Sequence, residues 1–373
     1  MNYQILVDDE FPKDLHAKVE EAQRRIYMQF MTFDGDQAGL ALAQRLIKAK
    51  ERGVDVRVVI DYYTDFYVSD TYYKRPEVRD EVKMTKQMIN DLARAGVLVY
   101  RTRPYGPFKI FFGARNHKKL IIIDDYAYLG GINISDHNYS WHDTMIRFKE
   151  PAITRTLLYD FRQTLLGQRI NLEQAGVITN DYLNKYYRKI IGEANSELVI
   201  SSPYFISWNL LLTLKRKHLK VSLFTLQDNN YSIMNFVNRL IFPVLIKNGV
   251  KIYFYKKFSH AKFLIADRKK ILLGSSNFCI NRFPYSQNIG FYSEDPKFIG
   301  DFYNRMVEEQ KDRMIPYDQQ VSGPKYFFSL LGLFLIGIVT YPILALYALM
   351  TKLYVKELGE FNCLKYLSPV LND

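Results

Sequence analysis

At 373 residues, with 51 Lys plus Arg against 39 Asp plus Glu, the chain has a formal net charge of +12. It is long enough for two ordinary domains or one large two-lobed unit, and its charge favours anionic partners: phosphorylated substrates, lipid headgroups or nucleic acid. The only two cysteines, Cys279 and Cys363, lie in unrelated contexts, which argues against a disulfide framework and a thiolate metal cage and fits a reducing compartment.

The opening stretch MNYQILVDDEFPKD is acidic where an export signal needs basic and then apolar residues, so no such signal is expected. Lys18–Phe33 reads as a helix end followed by a strand. Leu40–Asp61 reads as an amphipathic helix, a stop at Gly53 and a buried strand. Two aromatic and basic segments, 61–76 and 103–119, read as interfacial loops or as packed insertions. Between them lies a short strand, GVLVY, from Gly96. The order then repeats: Tyr186–Phe205 and Asn209–Asp228 give helix, strand, helix, strand, and GVKIYFY from Gly249 supplies the short strand. Strands alternating with helices predict an α/β fold of two similar halves, each a mainly parallel sheet with helices on both faces, packed around one shared site. The expected divisions are residues 1–170, 171–320 and a C-terminal part, 321–373.

Each half carries the same short pattern at the mouth of an apolar run. His117, Lys119 and Asp124 form H-x-K-x4-D, and His260, Lys262 and Asp267 form it again. Strand alternation puts the histidine and lysine of each motif on one face. A glycine turn with an asparagine follows in both halves, GGIN with Asn133 and GSSN with Asn277. One His-x-Lys alone is a weak signal and most often marks an ordinary strand end. Two copies with matched asparagines are not.

This paired pattern resembles the phospholipase D superfamily, over about Leu15 to Gln310. WHD at 141–143, the RGVDVRVVID element and an apolar segment at the C-terminal end are most similar to bacterial cardiolipin synthases that lack N-terminal membrane helices. The resemblance implies a catalytic set of His117, Lys119, Asp124, His260, Lys262 and Asp267, with Asn133, Asn277, Asp143 and Asn288 binding phosphate or orienting the histidines. It implies no metal and no cofactor. Two lysines and two amides offer donors to phosphoryl oxygens. One imidazole attacks phosphorus while the other protonates the departing alkoxide, through a phosphohistidine.

A carboxylate after each asparagine is expected to orient that half's histidine. Asp143 fills this role for the first motif, whereas Asn288 stands at the second, with Glu294 or Asp295 as substitutes if the alignment shifts. The expectation is therefore His117, paired with Asp143, as nucleophile and His260 as acid and base. Asp124 and Asp267 end their apolar runs away from the phosphate and read as carboxylates that fix turns or a lysine. His137 and His142 read as polar loop residues, and Arg282 as a headgroup contact or a surface arginine.

Near the C-terminus no charged residue occurs between Lys325 and Lys352. This run, about 326–350, is long enough to span the roughly 20 residues of a bilayer core, and Pro342 inside it would kink one spanning helix or turn a re-entrant hairpin. Basic residues before it (Arg305, Lys311, Arg313, Lys325) outnumber those after it (Lys352, Lys356, Lys365), which predicts a catalytic part facing the cytoplasm at a bacterial inner membrane. The expected partners are phospholipids, namely phosphatidylglycerol and phosphatidylethanolamine or another alcohol-bearing lipid. A phosphatidyltransferase leads; a headgroup-hydrolysing or exchanging phospholipase D is the alternative. A metal-independent nuclease ranks third, because the apolar segment disfavours nucleic acid as partner.

Overall fold

The computed structural model describes residues 1–62, 76–102, 115–205, 210, 213–214, 219–230, 232–278, 286–357 and 367–369. Most of both aromatic segments, Arg282 and the two cysteines lie outside the described residues.

Two sheets carry the fold. The first contains β1 (Tyr3–Val7), β2 (Arg25–Phe30), β3 (Asp55–Asp61), β4 (Leu98–Thr102), β5 (Leu120–Ile123), β6 (Tyr126–Gly130) and β7 (Thr144–Phe148), with β17 (Leu367–Pro369) added from the C-terminal end. The second contains β8 (Glu173–Gln174), β9 (Val177–Thr179), β10 (Glu197–Ser201), β11 (Lys220–Thr225), β12 (Val250–Tyr255), β13 (Phe263–Ala266), β14 (Lys270–Gly274), β15 (Ile289–Ser293) and β16 (Met314–Pro316). The repeat is explicit in the pairing. β2, β3 and β4 are parallel, as are β10, β11 and β12, and an antiparallel run β5–β6–β7 or β13–β14–β15 extends each trio. The α/β class and the two similar halves hold, but the sheets are mixed rather than mainly parallel. The physical reason is loop length: only Asp124 and Asp125 separate β5 from β6, and a connection that short can make only an antiparallel hairpin.

The sheets pack face to face. Their shared core includes Ile122, Leu129, Ile146 and Phe148 from the first and Phe263, Ile265, Leu273 and Phe291 from the second. Two helices, α5 (Pro151–Leu165) and α8 (Pro296–Tyr303), also contribute to this layer, through Leu157, Phe161, Phe298 and Phe302. The outer faces are covered by helices with apolar residues at helical spacing. In α1 (Glu10–Glu21) these are Phe11, Leu15 and Val19; in α2 (Gln37–Glu51), Leu42, Ala43, Leu46 and Ala49. The Asp36 carboxylate caps α2 by accepting from the Gly39 N–H at 2.9 Å, and Gly53, at φ +90°, ends it. Also outside the sheets are α3 (Pro76–Arg94), α6 (Asp181–Glu193) and α7 (Ser232–Lys247), with a short α4 (Asp136–Ser140) beside the site. Pro243 lies inside α7.

Asp124 and Asp267 do not reach the site. Each sits at the far end of its strand, at φ +48° and +51°, and accepts from three consecutive backbone N–H groups at the start of the neighbouring strand in its own half: Gln23, Arg24 and Arg25 for Asp124, Asn195, Ser196 and Glu197 for Asp267. Their duty is structural, and a catalytic role for them is withdrawn. Although burial opposes ionisation, these N–H donors and the Ser196 hydroxyl hold the Asp267 carboxyl down at about 2. A depressed carboxyl stabilises the fold above its unfolded value near 4, and that contribution fades as pH falls toward 2. Asp267→Ala is therefore expected to lose about 1–3 kcal/mol at pH 7. Urea denaturation at pH 7 and pH 3 checks this, the gap from wild type narrowing at the lower pH.

Candidate active site

Both motif histidines lie just before the antiparallel strand of their half, His117 ahead of β5 and His260 ahead of β13, and both open into one cavity of about 220 Å³. Its lining includes Asn133, Asn277, Asn138, Trp141, Met31, Thr32, Tyr204 and Asn230. Met31, Thr32, Tyr204 and Asn230 follow the carboxyl ends of parallel strands, where α/β sheets present their binding loops. Thr32 Oγ1 is buried and pairs with nothing among the described residues, which leaves a hydroxyl for a ligand.

The lysines lie behind the histidines. Lys119 Nζ donates to the His117 carbonyl at 3.0 Å, and Lys262 Nζ donates to the His260 carbonyl. Both are fully buried. Lys118, between them, points the other way and meets Asp160 of α5 with Nζ–O distances of 2.7 and 2.9 Å. The second motif has Ala261 at this position.

The carboxylate expected on His117 is on the other histidine. Asp143 Oδ2 lies 2.9 Å from His260 Nδ1 and 3.8 Å from Lys262 Nζ, while its Oδ1 accepts from the Thr144 N–H at 2.8 Å. His117 instead has the Asn288 amide, and Glu294 and Asp295 are elsewhere: Glu294 takes the Tyr292 hydroxyl, and Asp295 caps α8. The crossing has a backbone cause. The His260 N–H donates to the carbonyl of His142 at 2.8 Å, and the His117 N–H donates to that of Gln287 at 2.8 Å. Each histidine thus pairs with the residue immediately before the other half's orienting side chain.

Three residues that brace this arrangement were not read as such from the sequence. Asp8 exchanges backbone and side-chain contacts with Asp143 at 3.1 Å and holds His142 Nδ1 at 3.0 Å, so His142 is a buried strut rather than a loop residue. Asp61 accepts from the Asn116 N–H at 2.8 Å and pairs with Arg115, fixing the approach to His117. Trp141 lays its ring 5.3 Å from that of His260. Gly131 leaves room for the Asp143 carboxylate, which a Cβ there would strike. His137 packs on Trp141 and is held down to about 4 by burial.

Burial, with the charges of the two site lysines, keeps both His117 and His260 well below the ordinary histidine value, so both rings are neutral at pH 7. Burial lowers Lys262 to about 8 against the pull of Asp143, and burial raises Asp143 to about 6 against the lysines. Burial, with the neighbouring Lys262 charge, also holds Lys119 well below the ordinary lysine value.

Two similar half-sites of an α/β fold meet at one cavity, to which each contributes a histidine and an asparagine. Residues 15–165 and 187–309 match the family model "Cardiolipin synthase, PLD-like domain". A cardiolipin synthase of Oceanobacillus iheyensis is 28% identical over 354 residues, covering 83% of this chain and 69% of that protein. One from Clostridium perfringens is 27% identical, covering 76% and 65%. The phosphatidylserine synthase of Haemophilus influenzae shares the fold at TM-score 0.69 and 13% identity, over 85% of this chain and 87% of that one. The chain spans about two thirds of the length of the curated relatives it matches. It belongs to the cardiolipin synthase-like family of the phospholipase D superfamily, a family of enzymes.

A carboxylate in place of the amide beside His117 gives a local test. Asn288→Asp is expected to raise the His117 pKa, as an opposite charge at contact distance does. The shift is read from the ring resonances by NMR.

Proposed function

We propose that the protein is a membrane-associated phosphatidyltransferase that moves a phosphatidyl group from one phospholipid to a hydroxyl of a second, as in cardiolipin synthesis. The observation that carries this is the single cavity into which one histidine and one asparagine of each half open, with both motif lysines buried directly behind the histidines. At about 220 Å³ it is smaller than the roughly 300–1,000 Å³ of pockets that enclose drug-sized ligands, which suits a headgroup with its acyl chains left outside.

In the proposed sequence His260 attacks phosphorus through Nε2. The imidazolium character of the phosphohistidine is stabilised by Asp143 at Nδ1. The P–O bond to the leaving alcohol breaks, and His117, protonated as the anionic phosphodiester settles beside it, gives that oxygen its proton. The acceptor hydroxyl then loses its proton to His117 as its oxygen attacks phosphorus, and the N–P bond breaks to restore His260. Asn133, Asn277 and the lysines hold the phosphoryl oxygens. This reverses the roles expected from the sequence, because the carboxylate that favoured His117 stands on His260.

The single helix α9 (Gly323–Glu357) contains a stretch, Gly323–Met350, long and apolar enough to cross a membrane, and it runs through Pro342 without turning back. Together with the bacterial relatives this supports placement at the inner membrane with the site on the cytoplasmic side. We assign residues 1–170 and 171–320 to the two halves.

The test is radiolabelled phosphatidylglycerol, with and without phosphatidylethanolamine, in EDTA, with a His117→Ala control. Cardiolipin from the wild type alone supports the transferase; phosphatidic acid alone supports the hydrolase, and no lipid turnover removes both. Turnover is expected to rise with pH through about 6, as Asp143 ionises, and to fall through about 8, as Lys262 loses its proton. A pH–rate profile of the transfer checks both limbs.

A further inference from the structure

We propose that α9 lies in the plane of a lipid surface and does not cross it, so that both of its ends are on the side of the active site. The inference rests on the membrane association proposed above and specifies its geometry.

The first observation is where the chain goes after the helix. β17 pairs antiparallel with β4, Leu367 opposite Thr102 and Pro369 opposite Tyr100. It thereby returns to the first sheet, in the position that β16 takes on β12 of the second. The helix connects equivalent edges of the two halves. Its 35 residues are about 52 Å long. Had the apolar stretch crossed a core of roughly 30 Å, the ten residue steps from Glu357 to Leu367 would have to bring the chain back. They reach at most about 36 Å, would carry Lys365 through hydrocarbon, and would cross as one segment with no barrel or bundle to pair its backbone.

The second observation is what α9 touches. Along one stripe, Tyr326, Ser329, Leu330, Leu333 and Ile336 pack toward the second half, and a Cβ on Gly332 would meet Leu240 of α7 at 3.0 Å. Ser329 and Leu333 are 4% and 3% exposed, so this part of the helix is seated on the protein. The opposite stripe is bare: Phe327, Phe328, Phe334, Leu335, Ile338 and Val339 are each at least half exposed. An exposed apolar face of that extent, on a helix whose first half is seated on the protein and whose residues from Tyr341 to Met350 stay exposed or half-buried, fits a lipid surface that covers what the protein does not. Ile233 and Phe236 of α7 are exposed as well and follow Asn230, which lines the cavity, so the same surface approaches the site.

The test uses the full chain in phosphatidylglycerol–phosphatidylethanolamine vesicles, with one cysteine at a time. The positions are Lys297→Cys on the body, Lys325→Cys before the apolar stretch, and native Cys363 after it. Cys279→Ser is present throughout, and Cys363→Ser in the first two. The protein is added to preformed sealed vesicles, so that its body lies outside, a membrane-impermeant maleimide is applied, and each signal is divided by that obtained in detergent. Lys356→Cys replaces Cys363 if the native thiol is shielded in detergent. Equal labelled fractions at all three positions are expected. A fraction at Cys363 complementary to that at Lys325→Cys would overturn the in-plane geometry while leaving the membrane association standing. Failure of the protein to float with vesicles would overturn both. In a second measurement, Phe334→Trp is expected to be quenched more by lipids brominated near the carbonyl end than near the chain terminus; the reverse order overturns the proposal.

Discussion

Alanine at His260 is expected to remove turnover of every phosphodiester, whereas alanine at His117 is expected to spare substrates whose leaving group needs no proton. General acid–base help is worth about 10²–10⁴-fold, and a nucleophile has no substitute once removed. With a lipid whose alkoxide must be protonated, both variants should fall by at least about 10²-fold. With a p-nitrophenyl phosphodiester, release of p-nitrophenolate should recover in His117→Ala and stay absent in His260→Ala, measured by absorbance in a single-turnover experiment. Recovery in His260→Ala instead would return the nucleophile to His117. The distinction comes from one contact, Asp143 on His260 Nδ1 at 2.9 Å, because a carboxylate stabilises a cationic ring and the Asn288 amide on His117 does not.

The largest stability effect is expected away from the site chemistry, at Asp160. Lys118 and Asp160 are fully buried, and their atoms are 2.7 and 2.9 Å apart in the layer between the sheets. Asp160→Ala leaves an ammonium without its partner in that layer and is expected to cost about 3–5 kcal/mol. Replacing both, as Lys118→Met with Asp160→Leu, removes the two desolvated charges together and should restore most of the loss. Urea denaturation of the two variants beside the wild type measures the difference; equal losses in both would show that shape rather than charge holds this position. The pair is specific to the first half, since Ala261 occupies the corresponding place in the second.

The sequence by itself determined the duplication, the α/β class and the residues that converge. Identical H-x-K-x4-D spacing with matched asparagines marks two strand mouths, and alternation alone puts His117 with Lys119 and His260 with Lys262. It also marked the apolar run, because a span without charge is legible without knowing its neighbours. Partner choice is another matter. Asp143 follows the first motif in sequence and serves the second in space, because the backbone bonds of His260 to His142 and of His117 to Gln287 exchange the two orienting residues between halves. Asp8, Asp61 and Asp160 carry no local pattern, since each becomes meaningful only beside a group far along the chain. Where the chain goes after α9 was equally hidden: hydropathy measures length and polarity, while the pairing of β17 with β4 returns the chain to the first sheet. Contacts between residues distant in sequence are set by how the sheets stack, and that stacking is a property of the whole core rather than of any segment in it.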